Sequence, residues 1–212
     1  MIAVIDYGAG NLRSIQRALE AAGAETTVTS NPEVVRAADA VVLPGVGHAG
    51  HSVDRIVSLG IDAAIRDVVE SGKPFLGICV GMQVLFDDQE EGGGKGFGLL
   101  PGRVRAIPES VKTPHMGWNR SRIIKDGPLG AAGDERHFYF VHSYVAEPSD
   151  PDDIVAVVEY GETYPSIVVR DNVWGMQFHP EKSGTDGFAL IERFVETVQQ
   201  QSAQPVAIGA AR

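Results

Sequence analysis

The sequence predicts an α/β protein with a central, mostly parallel sheet flanked by helices and with additional antiparallel strands in its second half. Two observations support this prediction. Up to about residue 86, short apolar runs alternate with helical patterns, which is typical of parallel βαβ units. From about residue 92 to residue 173, helical patterns become scarce and strand-like runs are separated by turn residues.

In the first half, each apolar run ends in a turn that leads into the next element. The predicted strands are residues 2–6, 25–29, 40–43 and 74–78. Asn11 is a favoured N-cap residue, and Leu12, Ile15 and Leu19 recur behind it at helical spacing, so we expect a helix there that ends at Gly23. Further helices are expected at residues 61–71 and 80–86.

The second half is expected to form one domain with the first. Its predicted strands are residues 104–107, 137–141, 154–159, 166–170 and 173–177, and a helix at 188–198 closes the fold. No linker divides residues 1–198. Residues 199–212 are polar and weakly patterned, so we expect a disordered tail. The run Gly92–Gly94 indicates a mobile surface loop.

Charge and composition exclude several classes of function. The chain has 212 residues, with 18 basic and 28 acidic side chains and a net charge of −10. This balance disfavours binding to nucleic acid or to an anionic membrane, because both require a basic surface. No apolar run has the length of a membrane span, and a secretory signal is not expected at the start. With Cys79 as the single cysteine, an internal disulfide is impossible, and we expect a reducing cytoplasm.

Cys79 lies at the corner where an apolar strand meets a helix, with Gly77 and Gly81 on either side. This is the G-x-nucleophile-x-G pattern of a nucleophile elbow, with Cys in place of Ser. The sharp turn requires small neighbours, and the helix N-terminus behind it favours a thiolate. The N–H of Val80 would point to where an oxyanion forms. A lone thiol is more often a buried apolar group, but this placement favours a nucleophile.

A cysteine nucleophile needs a base, and the candidates are the six histidines at positions 48, 51, 115, 137, 142 and 179. His179 is distinguished because Glu181 follows it across a proline that keeps the segment extended. Residues i and i+2 of an extended segment share a face, so Glu181 would orient the imidazole. A second turn, Pro44–Gly47, ends the third strand at the same edge of the sheet and is a candidate for a further oxyanion donor, although it equally fits a plain turn.

Several motifs resemble those of the class I, or triad, glutamine amidotransferases. These are GICVGMQ around Cys79, QFHPE around His179, and the stretch 94–102. Four further motifs, DYGAGN (6–11), PGVG (44–47), PHMGWN (114–119) and FVHSY (140–144), are similar to those of the glutaminase subunits of imidazole glycerol phosphate synthases within that family. The resemblance covers residues 2–198 and implies a flavodoxin-like fold.

The resemblance also implies roles for individual residues. Cys79 attacks the side-chain amide of glutamine and carries the thioester, His179 transfers the proton, and Glu181 orients His179. The implied oxyanion donors are Val46, Gly47 and Val80. The implied substrate-binding residues are Gly47, Gln83, His142, Ser143 and Tyr144. The implied contacts to a partner are Asn11, Trp118, Asn119 and Lys182, although Trp118 also fits a core aromatic residue.

A partner protein is expected on chemical grounds as well. The chain contains no P-loop, and GAGNLR has Arg13 where a dinucleotide-binding turn needs its third glycine. Little chain is left for an acceptor site, and ammonia released into water would be protonated and lost. The resemblance implies the cyclase subunit of the synthase as the heterodimeric partner, in histidine biosynthesis, with no cofactor and no metal.

Three other functions remain as alternatives. Another triad amidotransferase or a γ-glutamyl hydrolase would share the chemistry, but PHMGWN argues against both. A non-enzymatic relative would be expected to have lost Cys79, His179 or Glu181, and all three are present. The i, i+3 spacing of His48 and His51 allows a metal site, but no further ligand stands at a suitable spacing.

Overall fold

The computed structural model describes residues 1–203 and confirms the predicted α/β class. The strands of its main sheet are β1 (Ile2–Ile5), β2 (Thr26–Thr29), β3 (Ala40–Gly45), β4 (Phe75–Cys79), β8 (His115–Ile123), β9 (Glu135–His142), β11 (Ile154–Tyr160), β12 (Glu162–Arg170) and β13 (Val173–Met176). A smaller sheet contains β5 (Phe86–Gln89), β6 (Gly94–Lys95), β7 (Leu100–Ala106) and β10 (Tyr144–Pro148). The helices are α1 (Leu12–Ala21), α2 (Pro32–Ala37), α3 (Ala49–Ser58), α4 (Ile61–Glu70), α5 (Val80–Gln83) and α6 (Gly184–Ala203).

The main sheet has the strand order β2-β1-β3-β4-β13-β12-β11-β8-β9. Strands β2, β1, β3, β4 and β13 are parallel, and the remaining four continue the sheet by antiparallel pairing. The strand carrying Cys79 and the strand leading to His179 are therefore direct neighbours, with Gly77 opposite Gly175. Because they are parallel, both chains leave the sheet at the same edge.

The helices form two groups around the parallel strands. Helix α1 contacts α6, whereas α2 and α3 both contact α4. The connection from β1 to β2 contains α1, and the connection from β3 to β4 contains α3 and α4. These two connections run in opposite directions across the sheet, so right-handed crossovers place their helices on opposite faces. The inner parallel strands β1, β3 and β4 are accordingly buried along their whole length, whereas β2 at the edge of the sheet is only partly buried.

Several predicted elements need correction. The helix predicted at 80–86 is only four residues long, because the chain enters β5 at Phe86. Asn11 precedes α1, but its side chain makes no capping hydrogen bond. The Gly92–Gly94 run, predicted as a loop, includes part of a 3₁₀ turn and the first residue of the edge strand β6. Helix α6 starts earlier than predicted and continues to Ala203, so residues 199–203 of the predicted tail are helical, while 204–212 lie outside the described residues.

Other elements gave no clear signal in the sequence. Helices α2 and α3 and strands β8 and β10 were not predicted. The missed strand β8 matters most, because it places the PHMGWN motif in the main sheet between β11 and β9. Trp118, Arg120 and Arg122 lie on its exposed face, and the buried positions on the other face include the polar His115 and Ser121, so the apolar signal of a buried strand is missing.

Candidate active site

Cys79 occupies a strained turn between β4 and α5. Its φ is +55° and its ψ is −113°, a left-handed conformation that a residue with a Cβ rarely adopts. The side chain is almost completely buried. This is the geometry of a nucleophile elbow, in which the backbone turn holds the side chain at the end of the sheet.

The flanking glycines are required by the close approach of main chains around this turn. A Cβ on Gly81 would lie 1.9 Å from the carbonyl oxygen of Leu43, and a Cβ on Gly77 would lie 2.6 Å from the carbonyl oxygen of Gly81. A Cβ on Gly45, which is paired with Cys79 across β3 and β4, would lie 2.4 Å from the nitrogen of Gly81. The glycine pattern seen in the sequence is therefore a packing requirement of the elbow.

His179 and Glu181 form a buried pair directly after β13. Nδ1 of His179 lies 2.9 Å from Oε1 of Glu181, and each side chain is 2% exposed. The main chain of His179 is fixed on both sides: its N–H donates to the carbonyl of Tyr139, and its carbonyl accepts from the hydroxyl of Ser183. The imidazole therefore has one orientation, with Nδ1 toward Glu181.

The second ring nitrogen of His179 is available for chemistry. Nε2 is buried and has no close hydrogen-bond partner within residues 1–203. Burial by itself lowers the pKa of His179, but the proximity of Cys79 and the hydrogen bond to Glu181 outweigh burial and raise that pKa to about 9. The raised pKa favours the protonated imidazole, which can give its proton to a departing amine in the pocket that it shares with Cys79.

Asn11 contacts the acidic member of this pair. Its Nδ2 donates to Oε1 of Glu181 at 3.2 Å, so this oxygen receives hydrogen bonds from both Asn11 and His179. The predicted contact of Asn11 with a partner stays a prediction, and the structure adds this hydrogen bond to the residue that orients His179.

A single pocket of about 380 Å³ contains Cys79 and His179. It is also lined by all the residues predicted to bind substrate or the oxyanion, namely Val46, Gly47, Val80, Gln83, His142, Ser143 and Tyr144. The Pro44–Gly47 turn reaches it because β3 pairs with β4 up to Gly45 and Cys79. Gly47 has a φ of +87°, and Val46 beside it is 39% exposed.

Gln83 lies in the wall of this pocket, but its amide nitrogen is already engaged. Nε2 donates to the main-chain carbonyl of Tyr144 at 2.9 Å and to Oε1 of Gln177 at 3.1 Å. Gln177 in turn directs its Nε2 toward the sulfur of Cys79 at 3.9 Å. Gln177 was not singled out from the sequence, although its position two residues before His179 on an extended segment places both on one face.

Three other pocket residues were also missed. Glu91, Pro114 and Val141 line the pocket. Glu91 directly precedes the Gly92–Gly94 run that we predicted as a surface loop, and its carboxylate accepts from the N–H of Ala49 at 2.6 Å. No pattern in the sequence connects this residue to α3, because the contact joins two segments that only the fold brings together.

The other residues predicted to contact a partner lie beside the catalytic histidine or on β8. Lys182 is exposed directly after Glu181. Trp118 is 59% exposed and Met116 is 62% exposed on the outer face of β8, which argues against Trp118 as a core residue. Asn119 lies on the opposite face from Trp118, and its Nδ2 points inward to the carbonyl of Glu159 and to His115.

The alternative metal site does not have metal-ligand geometry. His48 and His51 stack face to face, with ring centroids 4.5 Å apart, so their nitrogens do not converge on one point. Within residues 1–203, no group of three or more His, Cys, Asp or Glu side chains is arranged to hold a metal ion. No helix in the same part of the chain is long and apolar enough to cross a bilayer.

Comparison with known proteins identifies the family of this chain. The family described as "Glutamine amidotransferase class-I" matches residues 3–198, and the chain belongs to this family. A solved glutamine amidotransferase superposes with a TM-score of 0.75 at 21% identity, covering 94% of this chain and all of the other. PurLQS from Thermotoga maritima superposes with a TM-score of 0.74 at 21% identity, covering 93% of this chain and 98% of that one. At this identity both show a shared fold.

Sequence relatives define the branch within the family. The imidazole glycerol phosphate synthase subunit HisH of Methanothermobacter thermautotrophicus is 47% identical over 94% of this chain and 100% of its own length. The subunit of the same name from Methanocaldococcus jannaschii is 48% identical over 92% of this chain and 99% of its own. The chain is thus a glutamine amidotransferase of the HisH group.

Proposed function

We propose that this chain is the glutaminase subunit of an imidazole glycerol phosphate synthase. In this role it hydrolyses glutamine and delivers ammonia to a cyclase partner that makes imidazole glycerol phosphate and AICAR in histidine biosynthesis. The observation that carries the proposal is the single pocket that contains Cys79 and His179, with Glu181 hydrogen-bonded behind the imidazole.

The first half of the reaction forms a thioester. The thiolate of Cys79 attacks the amide carbon of glutamine, and the main-chain N–H groups of Val80 and the Val46–Gly47 turn receive the oxyanion. The tetrahedral intermediate collapses as the C–N bond breaks. His179 gives its proton to the departing nitrogen, which leaves as ammonia, and the γ-glutamyl group stays on the sulfur.

The second half uses water. His179, now neutral, accepts a proton from water as the oxygen attacks the thioester carbon. The C–S bond breaks, glutamate leaves and the thiolate returns with a protonated His179. Glu181 keeps Nδ1 protonated throughout, because a carboxylate only accepts, so Nε2 is the atom that exchanges the proton.

The exposed surface next to the triad supports docking of the partner there. Trp118 and Met116 form an apolar patch, and Lys182 lies one residue beyond Glu181. Large aromatic and aliphatic side chains in such positions are typical anchors of protein interfaces. A partner bound here would receive ammonia close to where it is released, within the cytoplasm that the single cysteine favours.

Glutamate release tests this proposal, measured with the purified chain alone and with the cyclase subunit and its nucleotide substrate. We expect slow hydrolysis alone, a large increase in the complex, and no hydrolysis by Cys79→Ala in either condition. The Cys79→Ala complex should still make product from added ammonia, which shows that the fold and the docking survive. Normal glutamine-dependent turnover in Cys79→Ala would contradict the proposal.

A further inference from the structure

Two buried histidines, His142 in the wall of the pocket and His115 behind it, transfer no proton in the reaction steps described above. His115 at the start of β8 and His142 at the end of β9 are directly paired across the two strands. They are 3% and 6% exposed, and His115 Nδ1 lies 3.3 Å from His142 Nε2. Two imidazoles this close need a defined proton arrangement, because two bare nitrogens or two N–H groups would repel each other.

The proton position on His142 follows from its second contact. Its Nδ1 lies 2.9 Å from the main-chain carbonyl of Tyr144, which can only accept, so Nδ1 carries the proton. In the neutral ring, Nε2 is then a bare acceptor that faces His115. The pairing with His142 then requires a proton on Nδ1 of His115, and this N–H is shared between His142 Nε2 at 3.3 Å and the closer hydroxyl oxygen of Tyr164 at 2.7 Å.

Asn119 fixes the same tautomer of His115 from the other side. The orientation of its amide is determined by two main-chain contacts: Oδ1 accepts from the N–H of Arg120, and Nδ2 donates to the carbonyl of Glu159. The same Nδ2 lies 3.2 Å from His115 Nε2, which must then be the bare nitrogen. The hydrogen bonds between these side chains are thus all donated in one direction: from Asn119 to His115, from His115 to His142, and from His142 to the carbonyl of Tyr144.

The surroundings keep both rings neutral. His115 is stacked between Phe140 and Tyr160, with ring centroids at 4.8 and 4.1 Å. Burial lowers the pKa of His115 to about 4. Burial likewise lowers the pKa of His142 to about 3, against the opposing effect of the Tyr144 carbonyl and with a further lowering from His115 and His179.

This series of hydrogen bonds ends at the wall of the pocket that is proposed to bind glutamine. The carbonyl of Tyr144 accepts from His142 and also from Nε2 of Gln83, at 2.9 Å each. Residues 142–144 form the corner at which the chain leaves the main sheet for the smaller one, and all three line the pocket. Within this corner, the His142 side chain bridges across Ser143 and fixes the direction of the Tyr144 carbonyl.

We propose that His115 and His142 are a pair of neutral, tautomerically fixed positioning residues that hold the 142–144 corner in the shape that binds glutamine. Asn119, which is next to the exposed Trp118 in sequence, fixes the tautomer of His115 at the end of the series that is farthest from the pocket. The inference rests on the proposed function, because glutamine is the substrate whose binding the corner would control.

Steady-state kinetics on two matched variants test this role in the complex with saturating cyclase subunit. His115→Phe keeps a ring between Phe140 and Tyr160 but removes the donor to His142. His115→Asn loses the ring but keeps an N–H donor at the position of Nδ1. We expect His115→Phe to raise KM for glutamine about tenfold with kcat within about twofold, and His115→Asn to raise KM by less than about threefold.

The melting temperature of each variant separates positioning from general stability. His115→Asn removes more buried contacts, so it should melt at a lower temperature than His115→Phe while binding glutamine better. An unchanged KM in His115→Phe, a loss confined to kcat, or a KM that follows the melting temperature in both variants would overturn the inference.

Nitrogen-15 NMR of the histidine-labelled chain tests the proton order without any assay of activity. We expect His115 and His142 each to show a protonated Nδ1 and a bare Nε2, without titration between about pH 5.5 and 8. Protonation at Nε2, or titration in this range, would overturn the inference. If instead the wild-type complex fails to hydrolyse glutamine, the proposed function fails, and the NMR result still decides the tautomers.

Discussion

Replacing Glu181 by Gln separates the two ways in which this carboxylate can act on His179. The substitution removes the negative charge but keeps an oxygen that can accept from Nδ1. Two donors, His179 Nδ1 at 2.9 Å and Asn11 Nδ2 at 3.2 Å, converge on Oε1, so the amide introduced by Glu181→Gln should place its oxygen there and its nitrogen elsewhere. The tautomer of His179 is therefore expected to survive.

The expected decrease in kcat/KM is the one caused by the lost negative charge alone. The rise in the pKa of His179 from 6.5 to about 9 corresponds to about 3 kcal/mol at the exchange rate of 1.36 kcal/mol per pH unit. Cys79 and Glu181 share this effect, so removing the charge of Glu181 should cost only part of it, on the order of tenfold in kcat/KM. A change that also inverts the tautomer of a catalytic histidine costs about 10⁴-fold in a triad.

The assay is glutamate release by the complex with the cyclase subunit across a range of pH. Because the wild-type pKa of His179 is raised, the alkaline decline in kcat/KM should move to lower pH in Glu181→Gln. The double variant Asn11→Ala/Glu181→Gln lacks the second donor that orients the amide, so it should lose far more activity than either single variant. A loss of about 10⁴-fold in Glu181→Gln alone, or no loss at all, would refute this reasoning.

Three further predictions concern packing, pH and the partner surface. Gly81→Ala should lower the free energy of unfolding by more than about 2 kcal/mol or prevent folding, because its Cβ would lie 1.9 Å from a main-chain oxygen. The control variant Gly94→Ala, whose Cβ would have no atom within 4 Å, should unfold like the wild type in urea. Since the pKa values of His115 and His142 are lowered in the folded state, the unfolded chain binds more protons below pH 6.5. The free energy of unfolding should therefore fall as the pH drops toward 4, and it should fall less steeply in His115→Phe. Equal slopes for the wild type and this variant, measured by urea titration at several pH values, would contradict this. Trp118→Ala should weaken binding to the cyclase by about 2 kcal/mol in calorimetry and leave the melting temperature unchanged, and an unaltered Kd would place the docking surface elsewhere.

Much of the elbow could be predicted from the sequence because its constraints are local. Gly77 and Gly81 stand next to Cys79 in the chain, and the strand-to-helix turn that demands small residues is made by the same few positions. His179 and Glu181 are equally close in sequence, so their shared orientation follows from an extended backbone.

The elements that were missed or wrongly bounded lack such local signals. Strand β8 reads as a mixture of charged and aromatic residues because one of its faces is exposed, and α5 is shortened because the chain is drawn into the smaller sheet at Phe86. Asn11 was expected to cap α1, but tertiary contact with Glu181 offers its side chain a different acceptor. Local propensity predicts a partner within a few residues, and here the partner lies 170 positions away.

By itself the sequence predicted the class of fold, which the structure confirms, and it indicated Cys79 as the candidate nucleophile and His179 as its candidate base. Only the tertiary structure decided which side chains surround them: Gln177 near the sulfur, Asn11 beside Glu181, and the paired His115 and His142 at the pocket. The physical reason is the range of the interactions. Backbone strain and strand alternation act over a few residues, whereas hydrogen bonds across neighbouring strands depend on a pairing register that no single segment specifies.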